Sequence, residues 1–591
     1  MKCGIIGNCA VSALIDDRGT IGWYCLPRFD GDPVFHSLLG HGPRREGDGA
    51  FAIEMDGCER TEQTYLPNTA ILRTLLHGPE GTVEITDFCP RFEMMGRSFR
   101  PQMLIRRVRA IAGCPRVRFR IRPSFDYSRK EPRVTRGSNH LRFMGAGQVM
   151  RLTTDAPVDH VTDERLINLD GEMTFVLGPD ESLSEAPGDL ARAFCEKTTR
   201  YWRRWVQRLA IPFEWQEAVT RAAITLKLCS YEPTGGVIAA MTTSLPEAPE
   251  SGRNWDYRYC WVRDALFTVR ALNSLAATRT MEHYYQWLMN AVADAEGGHI
   301  QPVLGVGLET ALTENVIDEL QGYRGMGPVR VGNQAHEHFQ HDTYGNIILG
   351  AAPAFFDTRL FMNTGEAAFA SLEPLGEQAW ELHDQPDAGI WELRTRARVH
   401  TSSSLMCWAA CDRLAKIAAH LGLAERGRHW AERARVIRRK ILDNAWSDER
   451  QSFVESFGGR TLDASVLLMG EVGFLPPDDP RFAATVDALS KTLGRGPHML
   501  RYEEADDFGV PEVGFNLCAF WRIDALTRIG RTEEPREYFN ALLDARNHLG
   551  LMSEDTAFET GEGWGNFPQT YSMVGIINGA MRLSRNWQAE L

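Results

Sequence analysis

Two glutamates stand out by their neighbours. Glu392 lies in "PDAGIWELRTRARVH", residues 386–400, between Trp391 and Leu393, with Gly389 before it and Arg394, Arg396 and Arg398 after it. Burial among apolar side chains disfavours a charged carboxylate, so such a group can stay protonated and donate its proton to a leaving group. Pointed outward, it is only a solvated acid. The choice needs a partner, and Glu554 in "HLGLMSEDTAFETGEGWGNFPQTYS" is a candidate, set before a Gly-rich loop containing Trp564, Asn566 and Phe567.

The stretch "SGRNWDYRYCWVRDALFTVRAL" adds binding chemistry. Trp255, Tyr257, Tyr259 and Trp261 recur at every second residue, so an extended chain puts them on one face and Asp256 and Arg258 on the other. Aromatic rings beside the Arg263–Asp264 pair suit a sugar, whose C–H face packs on rings while charged groups bind its hydroxyls. Equally, four aromatics can be core and the pair a cap. In "GYRGMGPVRVGNQAHEHFQHD" the glycines lack the Lys-Ser/Thr of a phosphate loop, and His336, His338 and His341 lack the HExxH spacing of a zinc helix. A polar substrate loop fits that segment better than a metal site.

These loops need a scaffold that gathers them. The chain has 591 residues, 43% hydrophobic and 24% charged, enough for more than one core. Lys+Arg 65 against Asp+Glu 78 makes a net charge of −13, which argues against nucleic acid as a partner. No apolar run is long enough for a membrane helix. Asn8 and "DDRG" interrupt the apolar start, which reads as a first strand rather than a leader. The twelve cysteines form no CxxC pair, Cys407 and Cys411 read as buried thiols on one helix, and the cytoplasm is the default compartment.

Up to residue 185, short alternating segments broken by turns predict an antiparallel β-sandwich. In "RVRFRIRP" arginines alternate with Val, Phe and Ile, placing cations on one sheet face and apolar residues on the other. The period then changes to that of helices: a helical linker over 186–212, then about twelve helical segments in 213–591 without a fixed repeat, joined by several long loops.

Taken in order, "NWDYRYCWVRDA", "GYRGMGPVRVGNQAHEHFQHDTYG", "GIWELR" and "MSED…GNFPQTYS" resemble the bacterial branch of glycoside hydrolase family 15, the glucoamylase and trehalase-like enzymes. The amino-terminal "IGNCAVSALIDDRGTIGWYCLPRFDGDPVFHSLLG" is similar to that branch's sandwich domain. The resemblance implies an (α/α)6 barrel behind the sandwich, no cofactor or metal, and inverting exo-hydrolysis of a small α-glucoside. It puts the general acid on Glu392 and the general base on Glu554, Arg263 and Asp264 on the terminal glucose, and Trp261, Tyr257, Trp391 and Arg324 along the pocket. It also makes Asn566 a candidate sugar-binding residue, which with Gln569 orders the catalytic loop or a water. The branch commonly carries Glu-Glu-Tyr-Asp at the base, where this chain has "SEDTAF", so Asp555 is a supporting group. Glu503 and Glu504 in "RYEEADDFG" read as surface acids.

The leading expectation is release of β-glucose from the nonreducing end of an α-glucan or disaccharide of undetermined linkage, with trehalase as the nearest alternative. A base-positioned Glu554 argues against a phosphorylase, and the presence of both glutamates against a noncatalytic sugar binder. On the resemblance, Glu554 requires a wetter or better hydrogen-bonded setting than Glu392.

Overall fold

The computed structural model describes residues 1–40, 48–295, 299–362 and 364–590. Its first part is a pair of antiparallel sheets. One sheet runs in the order Cys3–Gly7, Ser12–Asp16, Ile21–Leu26, Ala50–Met55, Arg116–Arg122 and Ile167–Asn168, with Asp32–Phe35 also paired to Ile21–Leu26. The other has eight strands, with Leu104–Gly113 between Gly81–Phe88 and Glu172–Pro179. The interruption at Asn8 is a hairpin turn. The Asn8 Oδ1 accepts from the Ala10 and Val11 N–H groups, so the amino terminus forms two strands rather than one. In Arg116–Arg122, Val117 and Phe119 are buried while the arginines face outward to Asp56, Glu54 and Glu164, as the alternation predicts.

A twenty-residue helix, α1 (Pro187–Val206), leads out of the sandwich, and the rest is helical. Labelling only helices of ten or more residues, the described chain continues with α2 (Gln216–Leu228), α3 (Val262–Ser274), α4 (Thr278–Asp294), α5 (Asp342–Ala351), α6 (Glu366–Leu382), α7 (Thr401–His420), α8 (Ala424–Asn444), α9 (Pro480–Leu493), α10 (Asn516–Arg528), α11 (Glu533–Asp544) and α12 (Thr570–Leu583). Burial sorts them into two rings. All ten residues of α5 are buried, as is the first half of α7, whereas α8 buries only the stripe Trp430, Ala434, Ile437 and Ile441.

The inner ring closes through α3, α5, α7, the short turns Ala464–Leu467 and Leu468–Glu471, α10 and α12, which packs back on α3. The outer helices are α2, α4, α6, α8, α9 and α11. This is an (α/α)6 barrel. Cys407 and Cys411 are buried free thiols on α7. Among the described residues no helix is long and apolar enough to cross a membrane.

The alternation of rings decides where a site can form. Each inner helix is entered through a connection from the outer ring, so those connections gather at the amino-terminal ends of the inner helices. All the loop motifs picked out by their chemistry lie on such connections. Side-chain caps fix some of the starts: Asp463 accepts from the Ser465 N–H and Gln569 from the Ser572 N–H.

Candidate active site

The aromatic stretch before α3 is oriented from behind by the sandwich. Arg258 is wholly buried. Its guanidinium pairs with Asp256 at 2.7 Å and donates to the Gly31 carbonyl at 2.7 Å and the Tyr127 hydroxyl at 3.0 Å, both from the sandwich. With even positions anchored there, Trp255, Tyr257 and Trp261 turn to the opposite side and line a pocket. Tyr259 is buried away from it. The pocket encloses about 890 Å³ of empty space, part of it open to solvent.

Tyr257 and Trp261 meet edge to face, their ring centroids 5.5 Å apart, and each holds one glutamate. The Tyr257 hydroxyl donates to Glu554 Oε1 at 2.7 Å, and the Trp261 indole N–H donates to Glu392 Oε1 at 2.7 Å. Two carboxyls far apart in sequence are thus tied to neighbouring rings in one wall.

Glu392 sits on a strained turn. Its φ is +61°, which costs a non-glycine residue about 1–2 kcal/mol, and Gly389 three residues earlier has φ +68°. A Cβ at Gly389 would lie 2.7 Å from the His400 ring, so only glycine fits there. Asp387 anchors the turn. Its carboxylate accepts from the Gly389 N–H at 3.2 Å, the His341 N–H at 2.8 Å and the Ser403 hydroxyl at 2.7 Å. Burial pushes the Asp387 carboxyl up to about 7 against those donors.

Arg263 reaches the same turn, donating to the Ile390 carbonyl at 2.9 Å and approaching Glu392 Oε1 at 3.5 Å. Trp391 does not enclose Glu392. Its indole donates to Asp463 at 2.7 Å and packs against Tyr502, Phe515 and Trp521, forming pocket wall beside a Glu392 side chain that remains 21% exposed.

Glu554 contrasts with the expectation of a wetter setting, for it is 1% exposed. Its Oε2 has no hydrogen-bond partner among the described residues, and neither has either carboxyl oxygen of Asp555. Burial, reinforced by the nearby Glu247 carboxylate and opposed by Arg501, pushes the Glu554 carboxyl well up from its ordinary value. The physical reason lies in residues that the sequence did not single out. Glu247 and Arg501 both line the pocket, bound to each other, and Glu247 also accepts from the Trp255 indole at 2.9 Å.

Arg263 and Asp264, at the start of α3, line the pocket with Tyr571 of α12. Among the described residues Arg263 Nε, Asp264 Oδ2 and the Tyr571 hydroxyl are buried without hydrogen-bond partners, Arg263 Nε and Asp264 Oδ2 facing each other as an ion pair at 3.4 Å. Burial raises the Asp264 carboxyl to about 6, with Arg263 pulling the other way. Such a cluster has donors and acceptors ready for sugar hydroxyls. At the mouth, the loop that reads as surface acids divides. Glu503 and Glu504 turn away to Arg450 and Arg398, whereas Asp506, Asp507 and Phe508 line the pocket. Arg253 fastens Asp506 at 2.6 Å, and Arg394 lies over the Trp255 ring, 4.6 Å from its centroid.

Two expected pocket residues lie elsewhere. Arg324 is half exposed, pairs with Glu562 at 2.8 Å and stacks on Tyr323 and Trp564, because its loop packs on the sandwich beside Leu38 and Gly40. Asn566 is fully buried behind the wall. Its side chain accepts from the Thr242 hydroxyl and donates to the Trp255 carbonyl, so it joins loops rather than touching the pocket. Gln569 lines the pocket while capping α12. The three histidines diverge: His336 bonds the Asn333 carbonyl, His338 lines the pocket and His341 lies against Asp387. Among the described residues no group of three or more His, Cys, Asp or Glu is arranged to hold a metal.

Comparison with known proteins agrees with this architecture. Residues 215–581 match the model of Glycosyl hydrolases family 15, and residues 2–168 match that of a trehalase-like N-terminal domain. A trehalase of Mycolicibacterium smegmatis is 31% identical over 98% of this chain and 91% of its own length. A trehalase of Thermoplasma volcanium is 30% identical over 98% and 93%. A bacterial glucoamylase solved with acarbose superposes with a TM-score of 0.69 at 13% identity, covering 99% of this chain and 94% of its own.

Proposed function

Because the chain belongs to glycosyl hydrolase family 15, we propose that this glycoside hydrolase cleaves α,α-trehalose with inversion, using Glu392 as general acid and Glu554 as general base. The observation that carries the reading is the pair of adjoining rings, Tyr257 and Trp261, each holding one glutamate on the wall of a single pocket.

In the proposed reaction one glucose lies against Arg263, Asp264 and Tyr571, whose buried polar atoms bind its hydroxyls. Glu392 transfers its proton to the bridging oxygen as the C1–O bond breaks. Its partial exposure leaves room for the departing glucose. Water attacks C1 from the opposite face and gives its proton to Glu554. An inverting pair stands about 6.5–9.5 Å apart so that this water fits between carboxylate and sugar. The enzyme ends with Glu392 ionised and Glu554 protonated, and one proton returns from Glu554 to Glu392 through solvent.

Trehalose is favoured over the maltooligosaccharide or isomaltose of the leading sequence expectation by the full-length likeness to trehalases. Glu392 and Glu554 in one pocket stand against a noncatalytic binder, and Glu554 against a phosphorylase.

The test is proton NMR of the purified protein with trehalose, maltose, isomaltose, nigerose, kojibiose and maltotriose. Inverting cleavage of trehalose releases one β-glucose and one α-glucose per event before mutarotation. Two α-glucoses would mean retention, and cleavage of maltose with none of trehalose would restore the glucoamylase reading.

A further inference from the structure

Three buried carboxyls cluster at the pocket, Glu247 and Glu554 lining it and Asp555 adjoining Glu554 in sequence, each no more than 2% exposed. The loops that carry them are joined. The Gly565 N–H donates to the Pro246 carbonyl at 2.8 Å, immediately before Glu247. The bare face of Gly565 lies against the other two acids, since a Cβ built there would be 2.8 Å from Glu554 Oε2 and 3.1 Å from Asp555 Oδ2. Those oxygens have no hydrogen-bond partners among the described residues.

Two cations stand near this group. Arg253 is engaged by Asp506, Oδ2 at 2.6 Å. Arg501 gives both terminal nitrogens to Glu247, lies over the Phe515 ring 5.0 Å from its centroid, and keeps a buried Nε without a partner among the described residues. Mechanism does not require Glu247, and stability alone is a weak reason for a buried ion pair.

We propose that the Glu247–Arg501 pair is a positioning device that sets the pH at which Glu554 becomes an ionised base. This rests on the reading of Glu554 as the base. The two members act in opposite senses. Arg501 favours the Glu554 carboxylate and Glu247 disfavours it, and their mutual bond keeps the cation from pairing with Glu554 outright. The raised Glu554 carboxyl, with Glu247 as the leading charge and Arg501 as the opposing one, accords with this. The other titratable groups facing Glu554 are Tyr257, Asp264 and Asp555, with Glu392 beyond Tyr257, and these remain in the Glu247 and Arg501 variants.

The experiment is the pH profile of kcat/KM on trehalose, whose acidic limb reports ionisation of the base in the free enzyme. Glu247→Gln is expected to move that limb down by about one unit and Arg501→Gln to move it up by about one unit. If Arg501→Gln does not fold, Glu247→Gln/Arg501→Gln, which buries no unpaired charge, must bring the limb back up from its position in Glu247→Gln. Rates that fall with an unmoved limb would overturn the proposal, since a merely structural pair changes amplitude alone. The base assignment is checked separately with Glu554→Ala and azide. Azide should attack C1 as glucose leaves with the proton of Glu392, forming β-glucosyl azide and restoring turnover. Near-normal activity of Glu554→Ala without azide would remove the base reading itself.

Discussion

The turn that carries Glu392 and the loop that carries Glu554 solve the same problem in different ways. Glu392 is held on a strained backbone, with Asp387 fastening the turn from below and Trp261 and Arg263 meeting its carboxyl, which stays partly open. Glu554 is held in ordinary backbone but almost without solvent, beside two more acids and one guanidinium. On the proposed roles, an acid must meet a leaving group that comes and goes, so its site keeps an opening. A base must keep one water in place, and a dry setting makes each neighbouring charge count for more.

The contrast is tested most severely by removing each carboxyl. Glu392→Gln and Glu554→Gln are each expected to lower kcat on trehalose by about 10²- to 10⁴-fold. With α-glucosyl fluoride, whose leaving group needs no proton, Glu392→Gln should recover most of its loss and Glu554→Gln none. Equal recovery would show that the two roles are misassigned.

Next in size are the ring tethers. Tyr257→Phe and Trp261→Phe each remove one hydrogen bond to a carboxyl, and steady-state kinetics should show kcat/KM falling roughly 10- to 100-fold. The loss of the Tyr257 hydroxyl should also raise the acidic limb of the pH profile, because that donor favours the ionised Glu554. Activity is lost as pH falls through the base's pKa, so the Tyr257→Phe profile should lie at higher pH.

A smaller effect separates the two backbones. Gly389→Ala places a Cβ against His400 at a positive φ and should cost about 1–3 kcal/mol in urea unfolding. Restored stability in Gly389→Ala/His400→Ala would confirm the clash as the larger part. The smallest effect is expected at Arg324, whose half-exposed pair with Glu562 is worth about 0–1 kcal/mol. Arg324→Ala should leave kcat/KM within about twofold on the ring-tether scale above. A tenfold loss would return that loop to the pocket.

Much of the architecture was legible because it is periodic. The twelve helical segments repeat near 3.6 and reappear as the two rings, and the alternation in Arg116–Arg122 placed its cations outward. Both glutamates, Trp255, Tyr257 and Trp261 and the Arg263–Asp264 pair could be picked out by residue type and spacing, and the pocket gathers them, whereas Tyr259 of the same alternation is buried away from it. Arg324 and Asn566 shared the composition of pocket loops and yet lie outside, since Gly and aromatic residues also serve to pack a loop on a neighbouring sheet.

Glu247 in "SLPEAPESG" falls outside the loop motifs, and Arg501 has no spacing relation to Glu554, so neither carried a signal in one dimension. By itself the sequence determined the elements, their faces and the chemical types available, because these follow from local periodicity and side-chain chemistry. Which carboxyl is dry, which cation stands beside it and which aromatic faces inward were decided only by the closed barrel and by the sandwich gripping Arg258. Electrostatic environment is a property of distance and burial, and the fold brings those together from loops hundreds of residues apart in the chain.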